Sequence, residues 1–263
     1  PSAGFATLSA RWMWRDLRAG WIGVHLDQLR AASKFRGRYA LALAVGDVVP
    51  MALAALARVP FVFVGCAKSV HYGRRYGYTN TELRLLRRRA VAVFPRDFAT
   101  TAWLCEHDVA SRYVGNPMMD DLEPDADPID VPVDATVIGA LPGSRDDAPV
   151  NAVAIAAVAA SLASMVPSPP AVDVVCAAAT GFDDSALLQW LSSRATGEWV
   201  RACPTAGDET QTRGQIVKLV HRTGLRFQVV RHRFADVILR STVVVGLAGT
   251  ANEQAVGLGR PVV

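Results

Sequence analysis

Short β-branched or apolar runs alternate with stretches of helical spacing along most of the chain, the pattern of βα units built on a parallel sheet. In the first half the candidate strands are Tyr39 to Val45, Pro60 to Val64, Ala90 to Phe94 and Arg112 to Val114. Ahead of them Leu8 to Ala32 carries Trp12, Leu17, Ile22, Leu26 and Leu29 at roughly helical intervals, and a helix containing Met51 to Leu56 follows the first strand. The rhythm then breaks. From Asn116 to Asp134 the chain is dense in aspartate and in proline (Pro117, Pro124, Pro128, Pro132), offers no core face, and reads as a linker. Beyond it Ala135 to Leu141, Val172 to Ala177, Leu225 to Val230 and Thr242 to Gly246 read as strands. Val150 to Met165, Asp184 to Ser193, Ala235 to Arg240 and Ala251 to Leu258 read as helices. Gln215 to His221 fits either element, and a final strand opens at Pro261.

With 263 residues, of which 51% are apolar and 20% charged, there is ample material for a core, and disorder, coiled coil and collagen are excluded. The break divides the chain into 1–122, a 123–134 linker and 135–263. Six βα units of roughly 30 residues make a full doubly wound domain of ~180. Two complete domains therefore need more chain than this, and the expectation is a fragment without the opening strand of its first domain or whatever follows Val263. The most apolar stretches do not read as membrane spans: Ala40 to Gly65 is broken by Asp47, Pro50, Arg58 and Pro60, and the alanine-rich stretch before Pro167 is short.

The formal charge of +4 hides an asymmetry. Residues 1–122 hold 17 Lys and Arg against 9 Asp and Glu, and the remainder 11 against 15, so the halves carry +8 and −4. A basic first half suits phosphates or an anionic membrane surface, although Arg84, Arg87, Arg88 and Arg89 equally suit a solvated helix face. No zinc-knuckle spacing or glycine-flanked aromatic strand accompanies the arginines, which argues against nucleic acid. Four scattered cysteines without metal-ligand spacing argue against structural zinc and suit a reducing cytosol, with three of them beside apolar runs and expected to be buried.

Two small-residue loops follow strands in the second half. In Leu141-Pro142-Gly143-Ser144-Arg145, Gly143 lets backbone N–H groups approach an anion, while Ser144 and Arg145 add donors matched to phosphate oxygens. In Gly246 to Gln254 the small residues leave a helix N-terminus uncovered, with Thr250 placed as N-cap and Glu253 either its capping-box partner or an acceptor for a sugar diol. Two such loops in one half suit a nucleotide diphosphate lying across the strand ends. In the first half Asp47 ends a strand, as a general base or as an ordinary N-cap, and the loop carrying Lys68, Ser69 and His71 ends the next.

Tyr113-Val114-Gly115-Asn116-Pro117-Met118-Met119-Asp120, then Leu141 to Arg145, then Gly249-Thr250-Ala251-Asn252-Glu253-Gln254 followed by Pro261-Val262-Val263, together resemble the lipid-A-disaccharide synthase family, and within it the synthase-related proteins of photosynthetic bacteria. The resemblance implies an α/β GT-B glycosyltransferase, with two Rossmann-like doubly wound parallel-sheet domains facing a cleft. It implies an inverting transfer of a glucosamine-type sugar, acylated or not, from UDP to a lipid-linked or sugar-phosphate acceptor, with no metal, at the cytoplasmic face of the membrane. Carried over by motif, Gly143, Ser144, Arg145, Gly249 and Thr250 serve the diphosphate. Glu253 holds the ribose with Asn252 and Gln254 beside it, Arg231 to Phe234 border the uracil, and Asp47 is the base. Lys68, Ser69 and His71 lie on the acceptor side. The sequence departs from the synthase pattern around Asp47, in the acceptor loop and at Gln254. A UDP-N-acetylglucosamine 2-epimerase and a non-catalytic nucleotide-sugar-binding protein therefore stand as alternatives.

Overall fold

A computed structural model describes residues 21–73, 77–127, 129–165, 172–187, 189, 199–201, 215–247 and 249–263. The chain divides into two compact units, Pro1–Asp120 and Asp121–Val263.

Within the first unit the order is α1 (Trp21–Lys34), β1 (Ala42–Val45), α2 (Val48–Leu56), β2 (Phe61–Gly65), a 3-10 turn (Val70–Tyr72), α3 (Asn80–Arg89), β3 (Ala90–Pro95) and α4 (Phe98–Glu106). Local chemistry starts each helix. Asp47 caps α2 by accepting the Val49 N–H at 2.9 Å, and Pro50 falls in the first turn, where a missing N–H costs nothing. A complete capping box between Thr79 and Glu82 opens α3, and Asp97 caps α4. The three strands are parallel in the order β1-β2-β3, in register at Ala44↔Phe63 and Phe63↔Val93. One face of this sheet packs Ala44, Phe61, Phe63 and Val93 against Met51, Leu83, Leu86 and Leu104.

The second unit comprises β4 (Thr136–Leu141), α5 (Ala148–Met165), β5 (Val172–Ala178), β6 (Trp199–Arg201), β7 (Gln215–His221), β8 (Arg226–Arg231), α6 (Phe234–Arg240), β9 (Val243–Gly246) and α7 (Gly249–Gly257). A further helix opens at Asp184. The sheet order is β6-β7-β8-β5-β4-β9. Strands β8, β5, β4 and β9 are parallel, and Val262 pairs in parallel beyond β9. From β4 the chain steps outward through β5 to β8, then returns over α6 to lay β9 on the other side of β4. The order reverses there, so α5 covers one face and α6 with α7 the other. Helix α5 is apolar enough by length and composition to cross a membrane, at a mean hydropathy of 1.7 over 18 residues. Half of it is buried, and Ala152, Ile155, Ala156 and Ala159 form the core against β4 and β5.

Several expectations change. Strands β6 and β7 are antiparallel, joining β8 as a meander, so the sheet is mixed. Residues Arg112 to Val114 form no strand: only the Arg112 N–H reaches Val93 O, and Tyr113 packs on the Phe98 ring at 4.0 Å. Helix α4 carries no apolar stripe in the sequence, since FATTAWLCE buries Thr100 beside Leu104. The proline- and aspartate-rich stretch does own a core face, because Ile129 is buried among Val137, Val175, Val230 and Val237. Cys176 is buried and Cys66 half-buried, but Cys105 is exposed, while Cys203 lies outside the described residues.

Candidate functional site

The second unit offers a crevice at the one place where its strand order reverses, between the carboxyl ends of β4 and β9, which is where open α/β sheets bind ligands. Leu141 and Gly246 are register partners, and the Leu247 N–H donates to Leu141 O at 2.9 Å, so the loops leaving the two strands start side by side. On the β4 side Gly143 adopts φ +102, a left-handed backbone that glycine adopts without strain, with open space where a Cβ would stand. Ser144 and Arg145 are exposed, and the Arg145 guanidinium has no hydrogen bond or ion pair to the described residues. On the β9 side α7 begins at Gly249, with Gly249 and Thr250 exposed in its first turn. Arg145 and the first turn of α7 thus lie on loops that leave neighbouring strand ends, an arrangement that favours an anion.

The helix start shifts two assignments. Because α7 begins at Gly249, Thr250 is its second residue rather than its N-cap, and Glu253 is the fifth, one turn in and half-buried. Asn252 braces the turn itself: its amide donates to Gly246 O at 3.0 Å. Its side-chain oxygen is buried without a partner among the described residues and lies 1.8 Å from where a Cβ on residue 246 would stand, which accounts for glycine there. Gln254 is half-buried in the same helix.

At the end of β8 the predicted pair separates. Phe234 packs with Leu141, Ala251 and Ala255 between α6 and α7, close beneath the crevice. Arg231 turns the other way, donating to Phe182 O at 3.1 Å and to Asp184 Oδ1 at 2.9 Å, so it ties the loop after β5 instead of facing β9. Between them, Arg233 is 2% exposed and pairs with Asp236 through two bonds of 2.9 and 3.0 Å. Arg233 and Asp236 sit three apart on one chain segment and read as surface charges in the sequence. Only the fold shows them buried.

In the first unit the carboxyl ends of β1, β2 and β3 carry Asp47, the loop from Cys66 to Tyr72, and Arg96-Asp97. Asp47 is half-buried, with one oxygen engaged by the Val49 N–H. Lys68 is not free to meet a ligand. Its ammonium donates to both oxygens of the buried Glu82, at 2.6 and 2.8 Å, and to Gly77 O at 3.2 Å. Ser69 is buried and caps the 3-10 turn, accepting from the His71 N–H at 3.2 Å, with its hydroxyl oxygen 3.4 Å from that of Thr100. His71 alone of the three is exposed.

A cluster absent from the sequence reading completes this edge. Arg96 donates to Cys66 O at 3.1 Å and to the Tyr72 hydroxyl at 2.7 Å. Asp97 accepts from the Thr100 N–H at 2.6 Å and its hydroxyl at 2.9 Å. Partial burial raises the Asp97 pKa, but the Thr100 and Ser69 hydrogen bonds and the nearby His71 outweigh it and hold the carboxyl below its ordinary value. The Asp-x-x-Thr spacing directly after a strand was the available signal.

Among known proteins, the resemblance lies in the fold. It matches a structure from Listeria monocytogenes described as a candidate UDP-N-acetylglucosamine 2-epimerase, at a TM-score of 0.51 and 12% identity, over 90% of this chain and 60% of that one. Staphylococcus aureus MnaA with UDP matches at 0.51 and 11%, over 91% and 62%. This is the GT-B fold. Anabaena HepE in complex with UDP-glucose aligns at a TM-score of 0.38 and 16% identity, over 90% of this chain and 61% of HepE. The chain spans about three-fifths of the length of the structures it matches. No family model matches the sequence, and no curated protein matches it.

Proposed function

We propose that the chain is the greater part of an inverting glycosyltransferase that takes a glucosamine-type sugar from UDP. The carrying observation is the crevice at the strand-order reversal, where the unpaired Arg145 guanidinium and the open N-terminus of α7 flank a glycine with room beside it. A nucleoside diphosphate supplies the two adjacent negative groups that such donors recognise. A structure of the same fold that contains UDP supports the reading. In it, Gly143, Ser144, Arg145, Gly249 and Thr250 hold the diphosphate, Glu253 accepts from the ribose hydroxyls, and Phe234 underlies the site. Asn252 shapes the turn. Asp47 takes the proton of the acceptor hydroxyl as the acceptor's oxygen bonds to the anomeric carbon and the bond to UDP breaks, while Arg145 and the α7 N–H groups stabilise the charge on the departing diphosphate. The motif order that resembles lipid-A-disaccharide synthases supports a lipid-linked or sugar-phosphate acceptor, met at the inner face of the cytoplasmic membrane. No metal takes part in this scheme.

The epimerase reading has its own support, since the Listeria structure is described as that activity and aligns over 90% of the chain. One assay separates the two: incubate the protein with UDP-N-acetylglucosamine and other UDP-sugars, with and without a sugar-phosphate acceptor, and follow UDP release and epimer formation by NMR. Transfer requires acceptor-dependent UDP release, whereas an epimer formed without acceptor overturns it in favour of epimerisation. Arg145→Ala is expected to weaken UDP binding by roughly tenfold to a hundredfold, the loss of a charge-assisted bidentate contact. Unchanged affinity removes Arg145 from the site.

A further inference from the structure

The stretch that opens the second unit, residues 121–134, is not a free tether. Its described residues are fastened to the rest of that unit at several points, among them the Gln228 amide, which donates to Asp130 O at 3.0 Å. Asp236 Oδ1 accepts the Asp125 N–H at 3.1 Å, and the Arg233 guanidinium donates to Asp127 O. Ile129 is buried in the core, Lys218 pairs with Asp130 Oδ2 at 2.6 Å, and Arg240 donates to Pro132 O at 3.3 Å. The contacts to Asp125 and Asp127 come from one buried ion pair, in which Arg233 presents Nε and Nη2 to the two oxygens of Asp236 at 2.9 and 3.0 Å.

The position of that pair gives it a second consequence. Arg233 lies between Arg231, at the end of β8, and Phe234, beneath the crevice. The intervening His232 sits at φ +60, a left-handed conformation that a non-glycine residue holds only when its surroundings impose it. Here the surroundings are the anchored Arg233 on one side and the Arg231 bonds to Phe182 and Asp184 on the other. The same guanidinium therefore fixes the turn after β8 and holds the 121–134 stretch.

We infer that the Arg233–Asp236 pair couples the two: binding of a nucleoside diphosphate at the crevice and fastening of residues 121–134 onto the second unit stabilise each other. The inference rests on the nucleotide-sugar reading. Two elements that share one buried clasp shift together, and the effect is reciprocal, so loosening the stretch anywhere must weaken the ligand. Arg233 and Asp236 are positioning residues in this account and do not touch the ligand.

The test uses UDP as the probe, on wild type, Asp236→Asn and Lys218→Ala, with calorimetry for affinity and hydrogen exchange on peptides covering 121–131. In the wild type UDP is expected to slow exchange there several-fold. Asp236→Asn is expected to speed it and to weaken UDP about tenfold, within the usual range of coupling. Lys218→Ala leaves the clasp and the turn after β8 untouched and releases only the surface pair at Asp130, so about twofold to threefold weaker UDP binding is expected. A merely structural role for the clasp does not move that variant's affinity. Equal UDP affinity in wild type and Lys218→Ala, with exchange raised at 121–131, overturns the coupling even if Asp236→Asn fails to fold. Absence of UDP binding by the wild type overturns the nucleotide-sugar reading itself, and the coupling with it.

Discussion

Lys68 reads in the sequence as a residue that meets the acceptor, and the structure makes it the counter-ion of a buried carboxylate. Lys68→Met decides between the roles. The Glu82 side chain is 1% exposed and that of Lys68 21%. Methionine keeps most of the aliphatic stem but removes the ammonium from both Glu82 oxygens and from Gly77 O. Glu82 keeps the Thr79 N–H at 2.7 Å and the Thr79 hydroxyl at 2.8 Å, and has no cation left among the described residues. Breaking a buried pair from one side costs about 3–5 kcal/mol, and the partial exposure of Lys68 lets water into the gap, so the lower end, about 3 kcal/mol, is expected. Adding Glu82→Gln removes the orphaned charge while keeping a residue that completes the capping box, and the loss falls to about 1 kcal/mol.

Because the chain has two units, a single unfolding midpoint is not defined, and the measurement must report on each. Hydrogen exchange in a urea series does so, with peptides over β2 and α3 reporting on the first unit and peptides over β4 and β8 serving as internal reference. At roughly 1–2 kcal/mol per molar urea, the first-unit midpoint drops by roughly 2 M in the single variant and recovers most of that in the double. A first-unit midpoint that stays put while turnover collapses refutes the structural assignment and returns Lys68 to the acceptor.

Two further outcomes follow from the shifted groups. The depressed Asp97 pKa means its contribution to stability is present above the ordinary carboxylate value, near pH 4, and is lost as pH falls through the lower native value. Thr100→Val removes the hydroxyl bond, so acid unfolding of the first unit, followed by exchange, is expected to begin at higher pH than in the wild type; coincident curves refute this. Cys105 is exposed and the Ser111 hydroxyl and backbone lower its pKa, whereas burial pushes Cys176 up to about 12. Iodoacetamide at neutral pH is therefore expected to label Cys105 well before Cys176 by peptide mass spectrometry, and Ser111→Ala to slow it, with equal labelling of the two thiols as the contrary result.

The fold was legible wherever a strand alternates or a core helix repeats: Phe61–Gly65, Ala90–Pro95, Thr136–Leu141 and Val243–Gly246 all announce themselves, and so does the alanine-rich α5. The segments that escaped are those whose state is set by neighbours. The run Gln215–His221 is a strand because β8 offers it an antiparallel edge, and FATTAWLCE is a helix because Asp97 caps it and Leu104 finds a core. Ile129 is one apolar residue in a polar stretch, and only the groove formed by Val137, Val175, Val230 and Val237 gives it a place.

The same distinction explains why the candidate residues of the two units differ in how well sequence marks them. The β4 and β9 loops depend on short-range features, a strand end, a glycine and a helix start within a few residues, and these are written consecutively. The first-unit edge is assembled from pairs far apart in sequence. Lys68 and Glu82 are 14 residues apart, Tyr72 and Arg96 are 24, and Ser69 and Thr100 are 31. No spacing rule links such pairs, so a lysine that neutralises a buried glutamate and one that awaits a phosphate look alike until the fold joins them. A loop motif can therefore place a donor site directly, whereas each charged residue proposed for the acceptor side must first be cleared of a structural partner. Lys68 fails that condition and Ser69 is taken up by its cap, whereas His71 is the exposed side chain of the three.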